Sequence, residues 1–290
     1  DEEGTPNVFH NVCRHRGGPL ATKGRGNVPA LRCRYHGWTY GLDGCLNAVP
    51  EFDGVEDFNI CDYGLPKAYL SQWEGLLFVS LFEQGKTMAE QMDGIIERIK
   101  PMSVSAMKIS KRVVYTINCN WKVYVDNFLE GYHLPYVHPE LNKLLDYKSY
   151  ETELSEHYSL QHSPVDADEN FYCEGSGTAY YYAVAPNFFM NILPGRLQTN
   201  HIVPVASNKT QVIFDYFYED VTSPVAKKRI EEDMAYADRV QNEDIEICHH
   251  VQKGLLSGGY TQGRYSVKQE KGVHHFHEYL KGIYRQVLEE

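Results

Sequence analysis

Two cysteines and two histidines fall into short pairs, Cys13-Arg14-His15 and Cys33-Arg34-Tyr35-His36, with seventeen residues between His15 and Cys33. Each pair leads into a tight turn: His15 runs into Arg16-Gly17-Gly18-Pro19, and His36 into Gly37-Trp38. Glycine lets backbone N–H groups come close, and the sulfide ions of an iron–sulfur cluster need such donors. A structural zinc would also take two thiolates and two imidazoles. Zinc loops, however, more often pair like with like, C-x2-C and H-x3-5-H, whereas each loop here supplies one sulfur and one nitrogen. That mixed order favours a two-iron cluster, with one iron on Cys13 and Cys33 and the other on His15 and His36. Cys45, Cys61, Cys119, Cys173 and Cys248 have no such partners and are expected as small buried apolar residues.

A second group of ligand types lies in NWKVYVDNFLEGYHLPYVHPE, residues 120–140. On a helix turning about 100° per residue, Asp126, Glu130 and His133 share one face. His138 would point about 140° away from His133, so a regular helix cannot aim both at one ion. Pro135 is expected to end the helix near His133 and let the chain swing His138 back. A third ligand must come from elsewhere. Met234, Ala237, Gln241, Asp244, Cys248, Val251 and Leu255 follow the 3,4 spacing of a core-facing seam, and Asp244 interrupts it. A carboxylate that faces a core is neutral, paired or metal-bound. Alone, Asp244 is better explained by a hydrogen bond to a neighbour; with His133 and His138 the balance reverses and it completes a two-histidine, one-carboxylate face for Fe(II), leaving positions open for O2 and substrate. Asp238, Glu243 and Glu246 lie off the seam and His249 and His250 outside it. Val273-His274-His275-Phe276-His277 is rich in histidine, but no acid or sulfur stands at ligand spacing, so packing and hydrogen bonding are expected there, with His275 and His277 on one strand face.

The elements that must position these residues divide near residue 84. Up to there, VFHNV, ALRCRYHGWTY and LLFVSLF are short β-like runs between Gly, Pro and Asp turns, which predicts a small all-β domain over 1–84. Residues 88–100 read as a bridging helix. Over 85–290, KRVVYTINC, GTAYYYAVA, NFFMNIL, LQTNHIVPV and QVIFDYFYE predict antiparallel strands. Helices are expected near 121–134, over 224–256 and, shorter, at the C-terminus. The class is α+β, an antiparallel sheet packed on helices.

Composition narrows the partners. With 28 Lys+Arg against 39 Asp+Glu, the net charge of -11 argues against a nucleic-acid surface or an anionic membrane. No run of apolar residues is long enough to span a bilayer. Seven cysteines without framework spacing fit a reducing compartment, and the cytoplasm is the expected location. Residues 1–40 are locally basic, as expected around an anionic cluster. The chain opens at Asp1, twelve residues ahead of Cys13, and a further N-terminal segment is expected. No G-x-G-x-x-G follows a strand, so a nicotinamide or flavin would have to sit on a partner.

With both groups placed, the chain resembles the α-subunits of Rieske non-haem iron oxygenases along nearly its whole length. The paired C-x-H and C-x2-H loops and NWK…DNF…EGYHxxxxH carry the resemblance; QNEDIEICHHVQKGL, Gly263-Arg264-Tyr265 and EKGVHHFH bring it nearer to choline and carnitine monooxygenases. The resemblance implies a Rieske β-domain beside a helix-grip catalytic domain, in a homotrimer whose clusters feed the neighbouring subunit's iron. It implies cluster ligands at Cys13, His15, Cys33 and His36, a mononuclear Fe(II) on His133, His138 and Asp244, and catalytic roles for Asp126, Asn127 and Glu130. Glu130 occupies the position that bridges the two centres, where ring-hydroxylating members usually have Asp. The implied reaction is O2-dependent hydroxylation, mono- or dioxygenation, with NAD(P)H electrons arriving through a separate reductase or ferredoxin. The expected substrate is a small quaternary ammonium compound. The 22 tyrosines include Tyr180 and Tyr182, expected on one strand face, and with Phe128 and Phe189 they are candidates to hold the cation. An aromatic-ring hydroxylase, a Rieske electron carrier and a zinc-stabilised binding module are the alternatives.

These readings separate in the metal content. Anaerobic reconstitution is expected to load two irons and two acid-labile sulfides of one cluster plus one further iron. Cys33→Ser should bleach the visible spectrum and leave the single iron in place, whereas zinc without sulfide would refute the cluster.

Overall fold

The fold is taken from a computed structural model that describes residues 1, 3–83, 85–165 and 177–289; Cys173 and Gln84 lie outside the described residues. The chain divides into two units, Asp1–Glu90 and Gln91–Glu290.

In the first unit, β1 (Leu31–Arg32), β2 (Thr39–Tyr40) and β3 (Leu46–Ala48) form a three-stranded antiparallel sheet, and β4 (Tyr69–Trp73) and β5 (Leu76–Ser80) a hairpin. The hairpin turns at Glu74-Gly75, both with positive φ (49° and 85°), the twist that a two-residue connection requires. The run ALRCRYHGWTY yields two strands rather than one. Between them the Cys33 N–H donates to Trp38 O and the Gly37 N–H to Cys33 O, which closes residues 33–38 into a loop. VFHNV contributes only one bridge, Phe9 to Lys67; its Phe9 ring lies where a Cβ on Gly44 would stand, at 2.4 Å. Cys13, Cys33, Trp38, Tyr40, Leu46 and Leu65 form the core. Cys45 and Cys61 are exposed, contrary to expectation, because both sit on tight turns at the rim of this small core.

The chain enters the second unit through α1 (Met88–Gln91) and α2 (Ile95–Arg98), two short helices in place of one. Gly94, at φ +80°, stands between them in a conformation no continuous helix contains. Next come β6 (Lys108–Ile117), α3 (Trp121–Phe128), α4 (Leu134–Val137) and α5 (Leu141–Leu144). There follow β7 (Glu151–Leu154), β8 (Tyr158–Val165), β9 (Gly177–Val184), β10 (Phe188–Leu193), β11 (Arg196–Ala206) and β12 (Lys209–Tyr218), and finally α6 (Pro224–Leu256) and α7 (Lys271–Glu289). The strands make one seven-stranded antiparallel sheet, β6-β12-β11-β10-β9-β8-β7. Cross-strand register puts Gln161, Tyr181, Asn191, Gln198 and Tyr216 on one face. That face packs on α3, α6 and α7 through Phe189, Phe214, Val125, Cys248 and Phe276. Each such buried side chain contributes about 1.5–3 kcal/mol.

The long helix has the expected bounds, with the Ser223 hydroxyl accepting from Ala226 N and Pro224 in its first turn. Its buried seam runs through Ala237, Gln241 and Cys248 and then reaches Gln252; Val251 and Leu255 are exposed, since an ideal helix drifts away from strict 3,4 spacing. His275 and His277 lie on α7, not on a strand, so they do not share a face. The helix expected over 121–134 stops at Phe128. Pro135 does not end it but sits in the first turn of α4, where its missing N–H has no partner to lose. Among the described residues, no helix is long and apolar enough to cross a membrane.

Gly272 is where α7 meets the end of α3. A Cβ there would stand 2.5 Å from the Leu129 carbonyl oxygen, a backbone atom that cannot swing aside. Gly272→Ala is therefore expected to destabilise the protein by roughly 1–3 kcal/mol, read as a lower thermal midpoint, whereas Gly282→Ala, with open space around it, should not.

Candidate active site

Cys13 and Cys33 open two loops with the same backbone pattern. The Cys13 N–H donates to Gly18 O and the Gly17 N–H to Cys13 O, repeating the bonds of Cys33 with Trp38 and Gly37. Gly17 and Gly37 make the turns at φ +74° and +76°, and a Cβ on Gly18 would meet Cys33 Sγ at 3.2 Å. The thiols are buried. The His15 and His36 rings meet edge to face with centroids 4.6 Å apart, and His15 stacks on Trp38 at 4.9 Å. Burial, then the neighbouring His36 and Arg16, lowers the His15 pKa and favours the neutral ring that a metal needs. Tyr40 Oη lies 3.3 Å from Cys13 Sγ and accepts from Arg14 N. A single tetrahedral ion would draw its donors to within about 4 Å of one another. Among the described residues these four side chains form no group so tight. The paired loops, with a thiol opening each and the two imidazoles close together, suit a cluster of two metals.

In the second unit His133, His138 and Asp244 do converge, with one donor atom from each within 4.8 Å of the others. The loop after α3 delivers both histidines. Gly131 is required there, since a Cβ would run into the Tyr150 ring at 2.5 Å. The single turn of α4 then brings the histidine rings to a centroid distance of 5.0 Å. Asp244 Oδ1 is the focus: His138 Nε2 lies at 2.9 Å, His133 Nε2 at 3.7 Å, and Asn127 Nδ2 donates to it at 2.6 Å. With metal–ligand bonds of about 2.1 Å at right angles, adjacent donors stand about 3 Å apart, so these side chains fit a divalent first-row cation.

Each histidine also has a carboxylate at its other nitrogen. Glu130 Oε1 is 2.7 Å from His133 Nδ1 while Oε2 accepts from His133 N, and Glu243 Oε2 is 2.7 Å from His138 Nδ1. Sequence spacing missed Glu243 because the seam rule looks only at core-facing positions; it is adjacent to Asp244 and side-on to the core. Asp126 is not part of this centre. The helix ends before its phase can reach Glu130 and His133, and Asp126 instead takes His277 Nε2 at 2.8 Å, with Tyr265 Oη on His277 Nδ1. The side chain that meets Asp244 is Asn127.

Beside Asp244, α3, α5, α6 and the sheet enclose a cavity of about 80 Å³. Phe128, Tyr181 and Tyr236 give it aromatic walls and Asn191, Gln198 and Asn200 a polar ladder. Of the expected substrate residues, Phe128 lines it, and Phe189 stacks behind Phe128 at 4.5 Å. Tyr180 and Tyr182 share a face, as expected, but the opposite one: Tyr180 donates to Arg98 O and Tyr182 packs against Tyr158. The period of two puts Tyr181 in the cavity. Arg196 is buried there with Asp233 at 3.2 Å and Gln198 as partners. Gln241 accepts from Tyr124 Oη, while its Nε2 is buried with no partner.

Comparison with known proteins agrees with both halves. Residues 1–59 match the Rieske [2Fe-2S] domain and residues 104–286 the catalytic domain of the ring hydroxylating alpha subunit. The chain is similar to chloroplastic choline monooxygenase of Arabidopsis thaliana, 34% identical over 96% of this chain and 68% of that one. It is 28% identical to the carnitine monooxygenase oxygenase subunit of Escherichia coli K12, over 96% and 78% of the two chains. The quaternary ammonium Rieske monooxygenase CntA, solved with its substrate γ-butyrobetaine, superposes with a TM-score of 0.77 at 25% identity, covering 94% of this chain and 76% of that one. The chain spans about two thirds of the plant choline monooxygenases it matches, 64–68% of their length.

Burial opposes a charged His138, but hydrogen bonds to Asp244 and Glu243 and their charges outweigh it, and its pKa lies above 6.5. A metal must displace that proton. Uptake of Fe(II) or Co(II) should be independent of pH above the raised value and weaken about tenfold per unit below it, as an equilibrium titration would show; a flat profile down to pH 5 would contradict it.

Proposed function

The chain belongs to the ring hydroxylating alpha-subunit family, with a Rieske [2Fe-2S] domain ahead of its catalytic domain, and on that premise we propose that it is the oxygenase component of a monooxygenase for small quaternary ammonium compounds. The observation that carries this reading is the small aromatic cavity beside the His133–His138–Asp244 group. Cys13, His15, Cys33 and His36 would hold the cluster, and His133, His138 and Asp244 the mononuclear Fe(II). Bound there, the two groups supply single-electron storage and O2 activation.

The chain's own residues do the rest. Asn127 holds the Asp244 rotamer through Oδ1, and Glu130 fixes His133 from both its ring and its backbone. Phe128, Tyr181 and Tyr236 offer π-faces to a cation. Arg196 stands in the same cavity, but Asp233 and Gln198 engage its guanidinium and it lies over the Tyr216 ring, so an incoming cation meets a paired charge. The buried Gln241 Nε2–H, one turn from Asp244, suits an oxygen on the substrate. His36 and the arginines around it are exposed, which suits electron delivery by an acidic reductase or ferredoxin that takes its electrons from NAD(P)H. Glu130 serves as the link to a neighbouring subunit's cluster in a homotrimer. The cytoplasm, or another reducing compartment, is the place that suits the seven cysteines.

The reconstituted protein, supplied with electrons and O2, should oxidise at least one of choline, carnitine, γ-butyrobetaine and glycine betaine, and leave benzoate and naphthalene unchanged. A neutral isostere with carbon in place of nitrogen should bind several-fold more weakly, since each desolvated cation–π contact contributes about 0.5–2 kcal/mol. Equal binding of the isostere, or turnover of the arenes alone, would replace this reading by that of an aromatic-ring hydroxylase.

A further inference from the structure

Glu243 is off the core seam of α6, yet its Oε2 stands 2.7 Å from Nδ1 of His138. The two ends of this contact differ. His138 is 1% exposed, and the Glu243 side chain 39%. A neutral imidazole carries one N–H, and the nitrogen without it is the one that can bind a metal. With a carboxylate at Nδ1, the tautomer that places the proton on Nδ1 gains a charge-assisted hydrogen bond, and the other would set a lone pair against an anion. Without a metal Nε2 faces Asp244 Oδ1 at 2.9 Å through its own proton; once a cation replaces that proton, the Nδ1–H stays on Glu243 and the Nε2 lone pair is the one that binds the ion. Glu130 stands in the same relation to His133, through Oε1 on Nδ1. The Glu130 contact is local in sequence, three residues away, whereas Glu243 reaches His138 across more than a hundred residues and is carried by the same helix as Asp244.

We propose that Glu243 is a positioning residue of the metal centre: it fixes the tautomer and ring orientation of His138 and raises the basicity of its Nε2, so that α6 supplies one metal ligand, Asp244, and orients another. The inference rests on reading His133, His138 and Asp244 as the metal site.

Co(II) binding to the intact protein, cluster in place, tests it without any substrate. Glu243→Ala is expected to weaken Co(II) about 10–100-fold with the cluster spectrum and thermal midpoint unchanged. Glu243→Gln should lose less, because an amide oxygen still accepts the Nδ1–H but without charge. In the Co(II) form, the shifted Nδ1–H proton signal of one histidine should exchange faster with solvent in Glu243→Ala while the other keeps its rate. Parental affinity in both variants, with both proton signals unchanged, would overturn the proposal. Asp244→Ala separates the two levels: if it binds Co(II) as tightly as the parent, the metal site itself is misplaced and both readings fall; if it abolishes binding while Glu243→Ala and Glu243→Gln keep full affinity, only the role of Glu243 is lost.

Discussion

One oxygen atom, Oδ1 of Asp244, is the point on which the catalytic unit closes. A carboxylate on the inner side of a long helix cannot be left unanswered, because burying an unpaired charge costs more than any single apolar contact returns. Three side chains answer it, His133, His138 and Asn127, and all three come from one short stretch of chain. That stretch cannot be a plain helix. It breaks after Phe128, turns at a glycine that Tyr150 leaves no room to replace, and restarts on a proline-bearing turn. The sheet behind it then has to leave a hollow at this spot, which it lines largely with rings and amides, Tyr181, Phe214, Asn191, Gln198 and Asn200, beside Leu193 and Arg196.

The first unit obeys a different constraint. The loops opened by Cys13 and Cys33 repeat one backbone pattern, and β1 and β2 flank the second of them. The core is small because much of what would be its centre is given to thiols and a stacked imidazole, with Trp38 and Tyr40 as the walls.

Much of this was legible beforehand. Spacing alone indicated the paired loops, the long helix and the interrupted seam, since ligand types at fixed intervals and a charge among apolar positions are local signals. What remained hidden depended on backbone events that sequence period does not encode. The common phase of Asp126, Glu130 and His133 assumes a helix that continues past Phe128; it ends there, and Asp126 meets His277 instead. Tyr180 and Tyr182 were correctly paired on a face, but a period of two does not say which face meets the cavity, and Tyr181 has it. Glu243 lies off the seam and its partner in another segment, so only the fold brings His138 to it. His275 and His277 read as one strand face, but the segment is a helix that buries Val273, Phe276 and Leu280 at 3,4 spacing, a period that the clustered histidines obscure.

The long helix has a mechanical consequence. At 33 residues it is about 50 Å long, and it engages its surroundings at several heights: Asp233 with Arg196 and Tyr218, Gln241 with Tyr124, Asp244 at the centre, and Gln252 with the Asn120 backbone. A rod gripped at separate heights resists rotation about its own axis. Side-chain tips stand some 5–6 Å from that axis, so a twist of 10° would move a carboxylate oxygen by about 1 Å, beyond the roughly 0.5 Å that a reactive constellation tolerates. The polar contacts along the helix thus act as an angular lock, and alignment at Asp244 is held partly by groups such as Gln252 on the Asn120 backbone that have no place in the cavity.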